Sequence, residues 1–292
     1  MEKGKIIFVT GATGQQGSAV VRHLVRSGFN VRALTRSSGS KKTQSIMGKG
    51  VEMVEGDLFR PETFEKNLSG AYGLFSVQNF WEHGFQGEIT QGKLLVDLAK
   101  KAGIKHFVYS SVASANKNTG LSHFDSKFNI ENYIRQSGIE YTIFRPVFFM
   151  ENFLAQHNQI LEGRLVNALS ENTPLQMIAV SDIGEFVAQA FLHPDIFRHK
   201  EIDIAGDSKT MPEVAQLLSE ATDVRVNYVK LDMAEYRNIM GDEYANMAEW
   251  FEKVGYDVNI EALRENYDVE LTGFRDWLKT ADFEQFKIKQ HQ

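Results

Sequence analysis

Lys5-Ile6-Ile7-Phe8-Val9-Thr10-Gly11-Ala12-Thr13-Gly14-Gln15-Gln16-Gly17 constrains the chain more than any other stretch. An apolar strand runs into a glycine-rich turn and then into an amphipathic helix carrying Ala19, Val20, Val21, Leu24 and Val25, which Gly28 closes. Each glycine has a task. Gly11 permits the sharp exit from the strand, Gly14 removes a Cβ where a pyrophosphate approaches, and Gly17 lets the helix lie close to the sheet. Main-chain N–H groups at the start of that helix, together with its dipole, favour phosphate charge. Residues 11 to 17 therefore read as a dinucleotide cradle: Gly11, Ala12, Thr13, Gly14, Gln15, Gln16 and Gly17. An ordinary glycine loop is the competing reading.

The second strand, Asn30–Arg36, bears on which dinucleotide is held. An NAD site usually ends this strand with an acid for the ribose hydroxyls. Here Thr35 and Arg36 stand there, followed by Ser37, Ser38, Lys41 and Lys42. Cations and hydroxyls suit a 2′-phosphate, so NADP(H) is expected over NAD(H), with Arg36 as the phosphate contact; a solvated basic loop is the alternative.

Short β-rich runs at 51–55, 71–77, 106–110, 141–145 and 201–205 alternate with helical patterns. That rhythm predicts an α/β fold, a Rossmann-type doubly wound parallel sheet. Beyond Gly206 the pattern changes to a helix over 211–221, a strand over 224–231 and a mostly helical remainder rich in aromatics, among them Trp250, Phe251, Phe274 and Trp277. Such aromatics read as core before substrate cage. The expected organisation is a Rossmann domain over 1–152, taking in about 175–205, and a smaller C-terminal α+β lobe over 206–292 with 153–174, joined through the polar segment 158–174.

Ligands of such sheets lie outside the carboxyl ends of the strands. Asp57 and Leu58, Gln78, Asn79 and Phe80, Ser111, and the segment ending in Phe149, Met150, Glu151 and Asn152 occupy those positions. Asp57 suits an adenine amine and Leu58 the ring face, although Asp forms turns as readily.

The chain has 292 residues, 42% of them hydrophobic, and a formal net charge of −6. With no dominant basic run, direct nucleic-acid binding is not expected. Zero cysteines removes disulfides, thiolate nucleophiles and Cys-based zinc sites, and the histidines show no metal-ligand spacing; no metal is expected. Met1, Glu2 and Lys3 lead directly into the first strand, and no apolar run reaches membrane-spanning length, so a cytoplasmic protein without a signal peptide or membrane anchor is expected.

The glycine turn, Gly56-Asp57, the run from Gly70 to Glu82, His123-Phe124-Asp125-Ser126-Lys127, Arg145 to Phe153, and Thr272 to Leu278 together resemble the NmrA-like family of atypical short-chain dehydrogenases/reductases over essentially the whole chain. The resemblance implies a Rossmann domain, a small C-terminal lobe and a bound dinucleotide. It covers NADP(H)-sensing regulators with little dehydrogenase activity and reductases of quinones or other small acceptors.

Active short-chain dehydrogenases typically use Tyr-x-x-x-Lys, the lysine lowering the tyrosine pKa so that its hydroxyl transfers a proton. This chain departs from it. No tyrosine precedes a lysine by four, and His123 stands in that place relative to Lys127, on one face of a predicted helix. Lys127 remains a candidate for the nicotinamide ribose and for catalysis. His123 is a candidate proton donor, although a neighbouring ammonium favours neutral imidazole, and a structural helix-start role competes. Ser110 and Ser111 are either substrate-orienting or structural.

Two readings follow. The first, which the missing tyrosine favours, is a redox-sensing regulator whose nucleotide occupancy changes its binding to a partner protein. The second is an NADPH-dependent oxidoreductase of a quinone or similar small-molecule acceptor, where proximity over the nicotinamide matters most and the product's proton comes from water or His123.

Overall fold

The computed structural model describes residues 4–281. Met1, Glu2 and Lys3, on which the N-terminal expectation rests, lie outside them. The chain divides into two compact units, one running up to Pro146 and taking in Val180–Asp203, the other holding Val147–Ala179 and the chain from Ile204 onward.

The first unit follows a strand–helix alternation: β1 (Ile6–Val9), α1 (Gln15–Arg26), β2 (Asn30–Thr35), α2 (Lys41–Gln44), β3 (Val51–Glu55), β4 (Gly73–Ser76), α3 (Phe80–Ala102), β5 (His106–Ser110), α4 (Ser122–Ser137) and β6 (Tyr141–Pro146). The chain then forms β7 (Phe148–Phe149), α5 (His157–Leu161), β8 (Arg164–Asn167) and β9 (Leu175–Ile178). It continues through α6 (Val180–Leu192), α7 (Pro194–Phe197) and β10 (Lys200–Ile204). Seven strands make one sheet in the order β10-β6-β5-β4-β1-β2-β3, with parallel pairing from β3 across to β6. This is a Rossmann-type doubly wound sheet, and its strand order reverses between β1 and β4.

Alternation along each strand supplies both faces. Phe8, Leu74, Phe107, Tyr109 and Ile143 form one buried cluster with Leu95, Val96 and Ala99 of α3 and Ile130 and Ile134 of α4. On the other face Phe144 meets Phe186 and His106 meets Phe191, both from α6. Near-continuous burial along β4 and β5 is what a sheet covered on both sides demands.

The second unit completes itself with β11 (Asp207–Lys209), α8 (Met211–Thr222), β12 (Asn227–Lys230), α9 (Met233–Met240), α10 (Asp242–Lys253), α11 (Ile260–Asn266) and α12 (Phe274–Thr280). α8 opens with a capping box in which Thr210 and Glu213 each satisfy the other's backbone N–H. In its core Phe153 meets Phe274 edge-on and Phe274 stacks on Trp277, each pair of ring centroids 5.3 Å apart.

Two expected boundaries move. Residues 147–152 belong to the second unit and not to the Rossmann domain, because Phe148 and Phe149 pair with Met177 and Ile178 of β9. For the same reason residues 175–179 leave the Rossmann domain. The segment 158–174 is not a joining strip: Arg164–Asn167 pairs residue for residue with Asn227–Lys230, inside the second unit. Among the described residues no helix is long and apolar enough to cross a membrane.

Candidate dinucleotide site at the strand order reversal

Between β1 and β4 the crevice is held together by Thr10. Its hydroxyl oxygen accepts from the Val77 backbone N–H at 3.0 Å and lies 3.2 Å from the Phe75 and Val77 carbonyls. The glycine turn follows at once. Gly11 has φ 59, and a Cβ there would come 2.8 Å from Val77 Cγ1. A Cβ on Gly17 would sit 2.1 Å from the Gly11 carbonyl oxygen. The turn and the first coil of α1 thus touch through bare backbone.

Gly14 is the N-cap of α1 and supplies no side chain, so the first-turn N–H groups of the helix are left to face an incoming group. No acidic residue stands in that turn to compete for the dipole. Gln16 reaches across from it: the Ser110 hydroxyl at the end of β5 donates to Gln16 Oε1 at 2.5 Å. Ser111 does something else, donating to buried Glu131 at 2.6 Å, and is structural.

Just after β4, Gln78 is 8% exposed; its amide nitrogen donates to the Ser76 hydroxyl, and its Oε1 is buried with no partner among the described residues. A buried acceptor of this kind asks for a donor. Asn79 is spent partly on architecture, capping Trp81 N–H at 3.2 Å. Asp57 adopts its turn-forming role, with Oδ1 accepting from Phe59 N–H at 2.9 Å, while Leu58 packs half-buried against the core cluster.

Directly after β2, exposed Arg36 bridges to Glu82 in the first turn of α3. Lys127 lies on α4 as anticipated, but its ammonium pairs with Glu88, a carboxylate with no solvent exposure that also accepts from Ser126. His123 is 7% exposed and belongs to an aromatic group, its ring centroid 5.7 Å from Phe80, 5.3 Å from Trp81 and 4.7 Å from Phe124. Trp81 itself is 50% exposed. The helix-start position of His123 on α4 is that of a packed residue.

Phe149, Met150, Glu151 and Asn152 lie in the second unit. Met150 is fully buried there, Glu151 accepts from the Trp277 indole N–H at 3.0 Å, Phe149 is half-buried and Asn152 is exposed. Within the first unit the structure brings together Gly11 with Val77, Gln16 with Ser110, and His123 with Phe80. Thr10, Trp81, Glu82 and Glu88 are the site residues that sequence reasoning passed over. Each owes its place to a partner distant in the chain, so no local signal marks it.

The model of the NmrA-like family matches residues 3–285. The chain belongs to the NmrA-like family. One NmrA-like relative, the NmrA-like family domain-containing oxidoreductase malD of Malbranchea aurantiaca, is 30% identical and aligns over 95% of this chain and 97% of its own length. Two solved NmrA-fold neighbours share the architecture. An NADPH-dependent quinone oxidoreductase of Escherichia coli, complexed with NADPH, has TM-score 0.79 at 22% identity, covering 94% of this chain and 99% of its own. NmrA, a negative transcriptional regulator in complex with NADP, has TM-score 0.75 at 22% identity, covering 97% and 94%.

Proposed function

We propose that the chain binds NADP(H) through its first unit and reduces a planar conjugated acceptor such as a quinone. The observation that carries this reading is the aromatic ledge beyond β4: half-exposed Trp81 beside Phe80 and the buried ring of His123. The π-faces of these rings prefer flat conjugated partners. Backbone N–H groups of residues 11–17 would hold the pyrophosphate, Arg36 the 2′-phosphate, and Gln78 Oε1 would accept from the nicotinamide end.

Bound NADPH supplies the hydride. This chain's own residues would orient the two flat rings, and the hydroquinone anion left by hydride addition is basic enough to take its second proton from solvent without a tyrosine acid. Support comes from the oxidoreductase name of the 30%-identical relative. A cytoplasmic setting is part of the same proposal.

A second reading, the nucleotide-sensing regulator with a protein partner, is favoured by one feature: with tyrosine missing and Lys127 neutralised by Glu88, the proton relay of active relatives is dismantled. The test is Trp81→Ala. A reductase loses acceptor affinity, its KM rising roughly fivefold for about 1 kcal/mol of stacking, with NADPH affinity unchanged; a regulator shows no acceptor-dependent turnover to lose.

A further inference from the structure

Arg36, the cation on which a 2′-phosphate would rest, is already engaged. Its guanidinium lays one nitrogen on each carboxylate oxygen of Glu82, the Nη2–Oε2 arm measuring 3.3 Å. Glu82 rides on the single turn Phe80–His83, which Gly84 sets off from the rest of α3 with φ 66 and ψ −175, a conformation that only glycine adopts at low cost. His83 Nε2 stands 3.9 Å from the same carboxylate, and the His83 ring meets Phe59 at 5.1 Å. The neighbouring phosphate donor is held likewise: Ser38 gives both its N–H and its hydroxyl to Glu55, at 3.1 and 2.6 Å. Two internal carboxylates therefore occupy Arg36 and Ser38, two of the donors that follow β2.

We infer that Glu82 is an internal competitor for the nucleotide 2′-phosphate, a specificity-determining residue that lowers affinity for NADP(H) while leaving NAD(H) nearly untouched. The inference rests on the nucleotide reading above. A phosphate dianion on Arg36 must break the two-point bridge and then sits beside a like charge; an unphosphorylated ribose demands neither. The break after His83 gives the displaced carboxylate a hinge on which to swing away. Because Arg36 is 63% and Glu82 38% exposed, solvent screens the pair, and the effect is a modest one.

The experiment is calorimetric titration of the full chain with NADPH and with NADH at low ionic strength, for wild type, Glu82→Gln, Arg36→Ala and the double variant, with melting curves to establish folding. Glu82→Gln should tighten NADPH about two- to fivefold, change NADH much less, and gain less when Arg36 is absent. An unchanged NADPH affinity in Glu82→Gln, or an equal tightening of NADH, overturns the inference while leaving the nucleotide reading standing. A folded wild type that binds neither nucleotide overturns both.

Discussion

The ammonium of Lys127 is held by Glu88, and Glu88 is wholly withdrawn from solvent. The pair binds α4 to α3, and the Ser126 hydroxyl takes a second position on the same carboxylate. Removing the cation leaves a buried anion with only one hydroxyl, whereas removing the anion leaves a lysine whose side chain is 15% exposed and can reach water. Lys127→Met should therefore destabilise the protein by about 3 kcal/mol and Glu88→Gln by less. Urea denaturation of both variants checks the order; equal losses would contradict it.

Gly17 and Gly14 should separate folding from binding. A methyl on Gly17 meets backbone at 2.1, 2.5 and 2.8 Å, none of it able to swing aside, so Gly17→Ala should cost about 3 kcal/mol of stability. A methyl on Gly14 finds only the Gly11 carbonyl at 3.2 Å. Gly14→Ala should cost under about 1 kcal/mol yet weaken NADPH binding, since its methyl enters the phosphate approach. Thermal melts paired with nucleotide titrations read the two effects apart.

His106 should give the protein an acid-sensitive stability. Burial pushes its pKa from 6.5 down to about 3, helped by the charges of Arg198 and His199. Thr142 spends its proton on the Phe197 carbonyl at 2.8 Å, so His106 Nε2 donates to Thr142 and the ring is neutral. The unfolded chain takes up a proton near pH 6.5 and the folded one does not until about 3, so stability falls as pH drops through that window. Between pH 7 and pH 5 the wild type should lose about 2 kcal/mol more than His106→Gln. Denaturant midpoints at the two pH values test this, and parallel losses would refute it.

Arg145 ends β6 in a buried network. It donates to Glu131 at 2.8 and 2.6 Å, to Glu201 at 2.6 Å and to Asp203 at 3.4 Å. Burial pulls its pKa down, but the hydrogen bonds and charge of Glu131, with Asp203 and Glu201, more than reverse that, and the net shift is upward. Arg145→Met takes two hydrogen bonds from Glu131, which has no exposure but keeps Arg135 at 2.7 Å and the Ser111 hydroxyl at 2.6 Å, and should cost about 2–3 kcal/mol. Arg145→Lys should recover only part, because an ammonium cannot serve several carboxylates along fixed directions. Chemical denaturation of the two variants measures the difference.

The sheet was readable because its central strands, such as β4 and β5, are compact apolar runs whose burial leaves a local mark, and because the edge strand β3 alternates apolar and charged residues; β3 and β5 lie where the residue pattern places them. β7, β9 and β11 were not readable. They have two, four and three residues, and their pairing comes from partners far along the chain. Arg164–Asn167 looked like a polar connection because its strand character depends on β12. At the site the same division holds. The glycine turn is a local device and was legible, while Glu82 on Arg36 and Glu88 on Lys127 are ion pairs between separate elements, which no spacing rule announces.

The central claim is tested most directly by anaerobic NADPH oxidation across a panel of benzo- and naphthoquinones, with NADPH occupancy established by titration on the same preparation. The account predicts acceptor-dependent oxidation that Trp81→Ala slows by raising KM for the quinone. Full NADPH occupancy with no oxidation by any member of the panel would contradict the reductase assignment and leave the nucleotide-sensing regulator in its place.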